Sequence, residues 1–270
     1  MPSETKWLCV TNQQAKFCNG TSLNSNQLKM RLFFVANESI LIRTPGGTNI
    51  LYDCGSSKKY TKYIYDYLKD NGITKIDFMI ASHTHSDHVN GFYWLWKQAE
   101  ADNKVELAYL YDNGVDGDDT WFTKRYKPFR DRFRNHQKYQ KVEGWRKLEL
   151  DEGSNLRIYL YANQRWPPKD EEEEIVSDHG HHGENMEYRS VWMKIRYKGA
   201  TMLLEGDSLA DYEEQMLGRF KSIKKAHVLK LSEHGSNSGT GENLLVRVRP
   251  AFVVNCNRDY AHLPSQGEVA

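Results

Sequence analysis

Four side chains of types that commonly bind metal ions lie within six consecutive positions of this chain, at His83, His85, Asp87 and His88. The run directly follows the apolar stretch Ile76–Ala81, which has the length and composition of a buried strand, and it precedes an aromatic stretch typical of a helix. Imidazoles and a carboxylate at this spacing can hold divalent cations and activate a water molecule between them. The run therefore predicts a metal site in the loop at the end of a strand.

Composition restricts the class of protein more than its partners. Of the 270 residues, 39% are hydrophobic and 12% aromatic, which is enough for a real core, and the net charge of +1 favours neither nucleic acid nor a membrane surface. No apolar run is long enough to cross a membrane, and the polar N-terminus lacks the features of a signal peptide. We therefore expect a cytoplasmic protein without a membrane partner, an exported origin being the alternative. The oligomeric state is left open.

Strands and helices alternate along the predicted secondary structure, in a βαβ-type arrangement mixed with hairpins. The predicted strands are Met30–Ala36, Ser39–Arg43, Asn49–Asp53, Ile76–Ala81, Leu107–Tyr111, Val191–Tyr197, Ala200–Leu204, Ala226–Leu231 and Phe252–Asn255. The predicted helices are Lys58–Leu68, Phe92–Ala101, Leu209–Phe220 and Glu242–Val248. We expect a single domain over residues 1–270, and the abrupt polar end after His262 suggests missing terminal structure.

Three further candidate ligands, Asp53, Asp207 and His234, stand at the ends of predicted strands. The carboxyl ends of strands in an α/β layer converge on one edge of the sheet, where clefts form. Taken singly, Asp53 is more often a turn former, and Asp207 is more often a helix cap. Their joint placement with the histidine run favours one shared site.

A basic and aromatic segment, Trp121–Lys141, allows two interpretations. Between Asp118 and Lys141 there are eight Lys or Arg residues against three Asp residues. The aromatic residues recur near helical spacing, which favours an amphipathic helix docked on the core. The alternative is that the basic side chains face a polyanionic substrate at the mouth of a site.

These motifs together resemble those of the metallo-β-lactamase superfamily of hydrolases, from about Met30 to the C-terminus. His83–His88 matches its HxHxDH signature, Leu51–Gly55 resembles its first motif, and Leu203–Ser208 resembles the strand with its bridging aspartate. Leu229–Ser236 resembles the HHGS segment of one branch of the superfamily. That branch contains the hydrolase domains of DNA-uptake channel proteins and the teichoic-acid phosphorylcholine esterases.

The resemblance implies an α/β fold, a four-layer αββα sandwich with two mixed sheets packed face to face and helices outside. It also implies two divalent metal ions, with zinc as the first choice and manganese or iron as alternatives. Carried over by position, His83 and His85 would bind the first ion, Asp87, His88 and His234 the second, and Asp207 both. Asp87 and Asp207 are the candidate catalytic residues, and Asp53 would orient a histidine ring by accepting its other N–H.

The chain departs from the pattern of that branch at two places. Glu233 stands where the branch usually has the first histidine of its pair, and a carboxylate can also bind zinc or manganese. The middle histidine motif of the superfamily has no clear counterpart, and His182 is the candidate for it. His262 lies in a tail that resembles the branch's "N…HP" segment.

The implied function is metal-dependent hydrolysis, and a phosphodiester is the first-choice substrate. The partner expected is a phosphate-containing substrate such as nucleic acid, a nucleotide, or a phosphorylated glycan or lipid. One alternative is a carboxylic-ester, lactone or lactam hydrolase with the same centre. Another is a non-catalytic, metal-containing module for nucleic-acid binding or regulation.

Overall fold

The computed structural model describes residues 6–11, 14–19, 28–33, 38–117, 120–150, 155–163 and 189–256. Within them, fourteen strands form two mixed sheets. The strands are β1 (Lys6–Thr11), β2 (Gln14–Asn19), β3 (Leu28–Leu32), β4 (Ile40–Arg43), β5 (Asn49–Tyr52), β6 (Lys75–Ile80), β7 (Glu106–Asp112), β8 (Tyr139–Lys141), β9 (Gly144–Leu148), β10 (Leu156–Ala162), β11 (Trp192–Tyr197), β12 (Ala200–Leu204), β13 (Val228–Lys230) and β14 (Phe252–Val254).

Each sheet changes from antiparallel to parallel pairing along its width. The first sheet has the order β2-β1-β3-β4-β5-β6-β7-β8, and its pairs become parallel from β5 onward. The second has the order β14-β13-β12-β11-β10-β9, with β12, β13 and β14 parallel to one another. Parallel neighbours bring their carboxyl ends to the same edge of a sheet, so each sheet offers one edge that can carry a site.

Among the described residues, five α-helices cover the outer faces of the sheets. They are α1 (Lys58–Asp70), α2 (Ser86–Asp102), α3 (Lys127–Asn135), α4 (Ala210–Arg219) and α5 (Glu242–Val248). A short π-helical turn, Phe122–Tyr126, leads into α3. The side chain of Ser57 caps α1 by accepting a hydrogen bond from the Tyr60 amide, which satisfies one of the free N–H groups of its first turn.

The core is divided into three apolar layers that explain this stacking. Between the sheets, Ile42 and Ile80 of the first pack in one cluster with Ile158 and Met202 of the second. The outer face of the first sheet packs against α1, α2 and α3, and the outer face of the second packs against α4 and α5. Strands with both faces buried carry continuous apolar runs, as β12 does. The prediction of a four-layer αββα sandwich is confirmed.

Several predicted boundaries are corrected by the structure. Helix α2 begins at Ser86, inside the histidine run, so Asp87 and His88 lie in its first turn and not in a loop. The hairpin β1–β2 and the strands β8, β9 and β10 were not among the predicted elements. Short or polar strands such as β8 carry too little hydrophobic periodicity to be read from sequence.

The structure favours the helical interpretation of the basic and aromatic segment. Phe122, Tyr126, Phe129 and Phe133 are all buried against the first sheet and its helices. Arg130 is also buried, and its guanidinium pairs with Asp116. Most of the segment's aromatic surface therefore stabilises the fold.

Among the described helices, none combines the length and the hydrophobicity required to cross a lipid bilayer.

Candidate metal centre

The carboxyl ends of the parallel strands of both sheets meet at one buried cluster of histidines and carboxylates. Asp53 follows β5, His83 and His85 follow β6, Asp207 follows β12 and His234 follows β13. Two contacts hold the two edges together: the Tyr52 hydroxyl donates to the Val191 carbonyl at 2.8 Å, and the Val191 amide donates to the Ser82 carbonyl at 2.8 Å. The cluster is thus built from both halves of the chain.

Asp207 is the centre of this cluster. Its Oδ2 atom lies 2.9 Å from His88 Nε2 and 3.0 Å from His234 Nε2. His234 Nε2 also lies 3.1 Å from Asp87 Oδ2. One ligand atom from each of these four residues can be chosen so that all four atoms lie within 4.8 Å of one another. A single divalent cation could contact all four.

Asp53 supports the cluster from behind His88. Its Oδ2 lies 2.9 Å from His88 Nδ1, so the imidazole N–H donates to it, and its two oxygens accept the amide and hydroxyl of Ser82 at 2.8 Å each. The Asp53 backbone has a φ of +55°, a left-handed conformation that non-glycine residues adopt rarely. These hydrogen bonds fix the carboxylate, and with it the ring of His88.

His83 and His85 lie next to this group. The ring centroid of His83 is 4.6 Å from that of His85 and 4.2 Å from that of His88. His83 Nδ1 lies 3.0 Å from the Ser82 hydroxyl, while its Nε2 is buried without a hydrogen-bond partner among the described residues. An unpartnered buried imidazole nitrogen is costly unless another group, such as a cation, binds it.

The carboxylates and histidines strongly shift one another's pKa values. Burial alone would lower the pKa of His234, but Asp207 and the hydrogen bonds to Asp207 and Asp87 raise it to about 10. Burial would raise the pKa of Asp87, but the neighbouring His88 and His234 lower it to about 2. Burial, followed by the neighbouring His88 and His85, lowers the pKa of His83 well below its usual value. In the absence of metal, protonated imidazoles therefore compensate the carboxylates, and metal binding must displace those protons.

Two glycines allow the strand ends to approach one another. A Cβ atom on Gly206, whose φ is +64°, would lie 2.7 Å from the Cβ of Ser82. A Cβ on Gly235 would lie 2.5 Å from the side-chain nitrogen of Asn255. His234, which directly precedes Gly235, also has a positive φ of +51°. Left-handed backbone at a non-glycine residue costs of order 1–3 kcal/mol and is typical of functional sites.

A sequence profile of the metallo-β-lactamase superfamily matches residues 33–251, which is most of the chain and includes the whole of the described cluster. The chain belongs to the metallo-β-lactamase superfamily. The resemblance of the histidine run and the strand-end motifs is thereby confirmed at the level of the family.

The chain is similar to the competence protein ComA of Neisseria gonorrhoeae. The two are 23% identical over 216 residues, which is 80% of this chain and 25% of ComA. The chain therefore spans about a quarter of the length of that relative.

Several solved structures of other proteins are similar to this chain. A CmlA β-hydroxylase variant matches with a TM-score of 0.50 at 10% identity, over 95% of this chain and 46% of that chain. YhfI from Bacillus subtilis matches with a TM-score of 0.44 at 15% identity, over 84% of this chain and 70% of its own. The human short-form tRNase Z matches with a TM-score of 0.44 at 12% identity, over 86% and 88%. At 10% identity, the match to the CmlA variant shows a shared fold and nothing more.

The donor set fits the divalent metal ions of metallo-β-lactamase proteins. Imidazole nitrogens and carboxylate oxygens suit zinc, manganese and iron. Asp87, His88, Asp207 and His234 surround one position, and the orphaned Nε2 of His83 identifies a donor beside it. A second group, Glu38 with Asp53 and His88, also has its donor atoms within 4.8 Å of one another. In that group Asp53 contacts the Nδ1 of His88, the ring nitrogen that faces away from Asp207.

One sequence-based candidate, Glu233, is not brought into this cluster, and two others lie outside the described residues. The carboxylate of Glu233 belongs to neither group of converging donor atoms among the described residues, and its Cβ would be 2.9 Å from a Cβ on Gly239. His182 and His262, like His179 and His181, lie outside the described residues. The roles of all three therefore stay predictions.

Two buried residues of the cluster were missed by the sequence analysis. Glu38, fully buried, and Lys230, 1% exposed, form an ion pair beside Asp207. A signal for Lys230 was present, because a lysine within the apolar strand Ala226–Leu231 needs a buried partner. Glu38 carried no such signal, since an acid just before a strand is usually exposed.

Proposed function

We propose that this protein is a hydrolase that uses two divalent metal ions, zinc in the first instance, to cleave a phosphodiester. The observation that carries the hydrolase assignment is the convergence of Asp87, His88, Asp207 and His234 on one buried position. When bound there, divalent cations supply Lewis acidity, which lowers the pKa of a water molecule and neutralises charge that develops on the substrate.

We assign the other roles in the reaction to individual residues of the cluster. Asp207, 3% exposed, presents one oxygen to both His88 and His234 and is the candidate bridge between the ions. Asp87 is the carboxylate that faces solvent, because its side chain is 32% exposed. Its position at the mouth of the cluster suits it to accept a proton from the attacking water. His83 and His85 are proposed to hold the first ion.

A strip of alternating cations and tryptophans supports the choice of a phosphate-containing substrate. Lys58 Nζ lies 5.3 Å from the ring centroid of Trp94, and Arg125 Cζ lies 5.2 Å from the same ring. Arg125 also lies 4.0 Å from the ring of Trp121, which is 48% exposed. We call these four residues the cation–aromatic strip. Cations attract phosphate groups, and exposed tryptophan rings stack with bases or sugars.

The strip begins close to the candidate centre. Trp94 follows Asp87 by seven residues on α2, which is two helical turns, so both side chains project from the same face of the helix. At 1.5 Å per residue, the distance between them along the helix axis is about 10 Å. This is about the length of one or two nucleotide units, so a chain held on the strip would reach the centre. Nucleic acid is the preferred substrate among the phosphodiesters.

The test combines metal analysis with three substrates. Bound metal is measured first, and then wild type and Asp207→Ala are assayed on a generic aryl phosphodiester, an aryl phosphomonoester and a chromogenic cephalosporin. We expect two ions per chain and turnover of the phosphodiester, which Asp207→Ala abolishes together with metal binding.

Other outcomes favour the other functions. Turnover of the cephalosporin alone would replace the phosphodiesterase by a lactam hydrolase. Two bound ions without turnover of any substrate would favour a binding or regulatory module. Less than one ion per chain after reconstitution would contradict the metal centre itself.

A further inference from the structure

A lysine is buried at the end of a central strand, beside the carboxylate that we propose as the bridge between the metals. Lys230, the last residue of β13, is 1% exposed, and its ammonium group finds three oxygen acceptors. It donates to the Gly206 carbonyl at 2.8 Å and to Asp207 Oδ1 at 3.4 Å, and it pairs with Glu38 Oε1. An ammonium group has three N–H donors, so all of them are satisfied without water.

The contact to Asp207 separates the two oxygens of that carboxylate. Oδ1 faces Lys230, while Oδ2 faces the Nε2 atoms of His88 and His234. A buried carboxylate with no partner on Oδ1 could rotate and exchange its oxygens. Lys230 prevents this, and therefore determines which oxygen is available to a cation.

Glu38 stands behind His234 as Asp53 stands behind His88. Its Oε2 atom lies 3.5 Å from His234 Nδ1, on the far side of the ring from the Nε2 that approaches Asp207. Asp53 Oδ2 lies on the corresponding side of the His88 ring and forms a 2.9 Å hydrogen bond with Nδ1, whereas the contact of Glu38 with His234 is longer and electrostatic, without a hydrogen bond among the described residues. A carboxylate behind a metal-binding histidine fixes the ring and its tautomer and makes the other nitrogen a better donor.

We infer that Lys230 and Glu38 form a positioning pair for the metal centre: Glu38 holds the ring of His234, and Lys230 holds both Glu38 and the outer oxygen of Asp207. The inference rests on the proposed function, because it assigns work to residues behind ligands of that same centre. Neither residue touches substrate. Each acts through a ligand that it orients.

The charges and the backbone of this region agree with such a role. Lys230 compensates two buried carboxylates, which could not otherwise remain ionised side by side in the protein interior. His234 comes from a short turn with left-handed backbone at Glu233, His234 and Gly235, so β13 alone does not fix its ring. Side-chain contacts hold the ring instead, from Asp207 and Asp87 at Nε2 and from Glu38 at Nδ1.

The test is a metal titration of Glu38→Gln against a matched control. Zn²⁺ binding is followed by calorimetry, and the electronic absorption of Co²⁺ reports the geometry around the ion. In Glu38→Gln we expect the affinity for one ion to fall about 10–100-fold and its Co²⁺ spectrum to change. Glu213→Gln, which removes another buried carboxyl group that contacts none of the ligands, should bind both ions like wild type.

Lys230→Met alone leaves Glu38 buried without a counter-charge and can fail to fold, so the double variant Lys230→Met/Glu38→Gln is included. It removes both charges together, and we expect it to fold and to show the same spectral change and loss of affinity. Wild type that binds two ions while Glu38→Gln and the double variant match it in affinity and spectrum would overturn the positioning pair alone. Wild type that binds no metal would overturn the proposed function, and the inference with it.

Discussion

Asp53 and His88 are joined by a buried hydrogen bond of 2.9 Å, from the imidazole Nδ1 to the carboxylate Oδ2. Both side chains are fully excluded from solvent, and the Nε2 of the same ring lies 2.9 Å from Asp207. The carboxylate thereby specifies that Nδ1 carries the proton of the neutral ring, which leaves Nε2 free to bind a cation.

Asp53→Asn should therefore weaken metal binding although it adds or removes almost no volume. An amide can donate as well as accept, so the wrong tautomer and ring orientation of His88 become accessible, and we expect a loss of about 10–100-fold in metal affinity. Calorimetric titration with Zn²⁺ measures this. Asp77→Asn is the control, because Asp77 accepts from the Asn49 amide near the opposite ends of the strands. Equal affinities of the two variants would contradict the role of Asp53.

The close approach of Gly206 to Ser82 leads to a prediction about stability. An alanine at position 206 would have a left-handed φ of +64° and a Cβ 2.7 Å from the Ser82 Cβ. The backbone at residue 206 and at Ser82 would have to shift to relieve this contact. We expect Gly206→Ala to lower the free energy of unfolding by about 2–5 kcal/mol, as the sum of backbone strain and overpacking. Denaturant unfolding of the metal-free protein measures the change.

Gly218→Ala is the matched control for this substitution. Gly218 lies near the end of α4, where a Cβ would meet no atom within 4 Å. Because alanine favours the helix, we expect this variant to be more stable than wild type by about 0.5–1 kcal/mol. Destabilisation of the same size in both variants would show that the contact with Ser82 is not responsible.

The buried carboxyl group of Glu213 predicts how stability depends on pH. Burial raises the pKa of Glu213 from 4.5 to about 8. Between these two values the folded protein retains a proton that the unfolded chain has lost, so stability must fall as the pH rises through this window. The slope contributed by one group is at most about 1.4 kcal/mol per pH unit. Chemical unfolding of the metal-free protein from pH 4 to pH 9 should show the fall, and Glu213→Gln should flatten it. Parallel curves for the two proteins would contradict the assignment.

The sequence was sufficient for the fold and for most of the cluster, because both depend on short local patterns. The HxHxDH run identifies its residues directly. Asp207 and His234 could be found because each follows an apolar strand whose end can be predicted from the sequence. The same reasoning misplaced the start of α2. The candidate ligands His85, Asp87 and His88 were predicted to lie in a polar loop, although they form the N-cap and the first turn of the helix.

Glu38 and Lys230 could not be paired from the sequence, because they are separated by 192 positions and only the stacking of the two sheets joins them. The cation–aromatic strip could not be predicted from the sequence either. Its members come from α1, α2 and the turn before α3, and the segment that suggested a polyanion site contributes only Trp121 and Arg125 to it. Long-range side-chain pairs of this kind depend on how helices pack on the sheet, which no local periodicity encodes.

The strip leads to a prediction that separates substrate binding from chemistry. If it holds a nucleic-acid chain, Trp121→Ala and Arg125→Ala should raise the KM for a single-stranded oligonucleotide by about 10-fold, since loss of one stacked base costs about 1–3 kcal/mol. Neither variant should change kcat/KM for a small aryl phosphodiester, which is too short to reach two turns along α2. Trp145→Ala is the control, because Trp145 is also exposed, at 63%, but lies on β9 at the edge of the second sheet. If Trp121→Ala has no effect while Arg125→Ala raises KM and the salt dependence falls, the strip attracts phosphate by charge without stacking. An equal effect of all three variants, or none, would show that the nucleic-acid chain follows another path to Asp87.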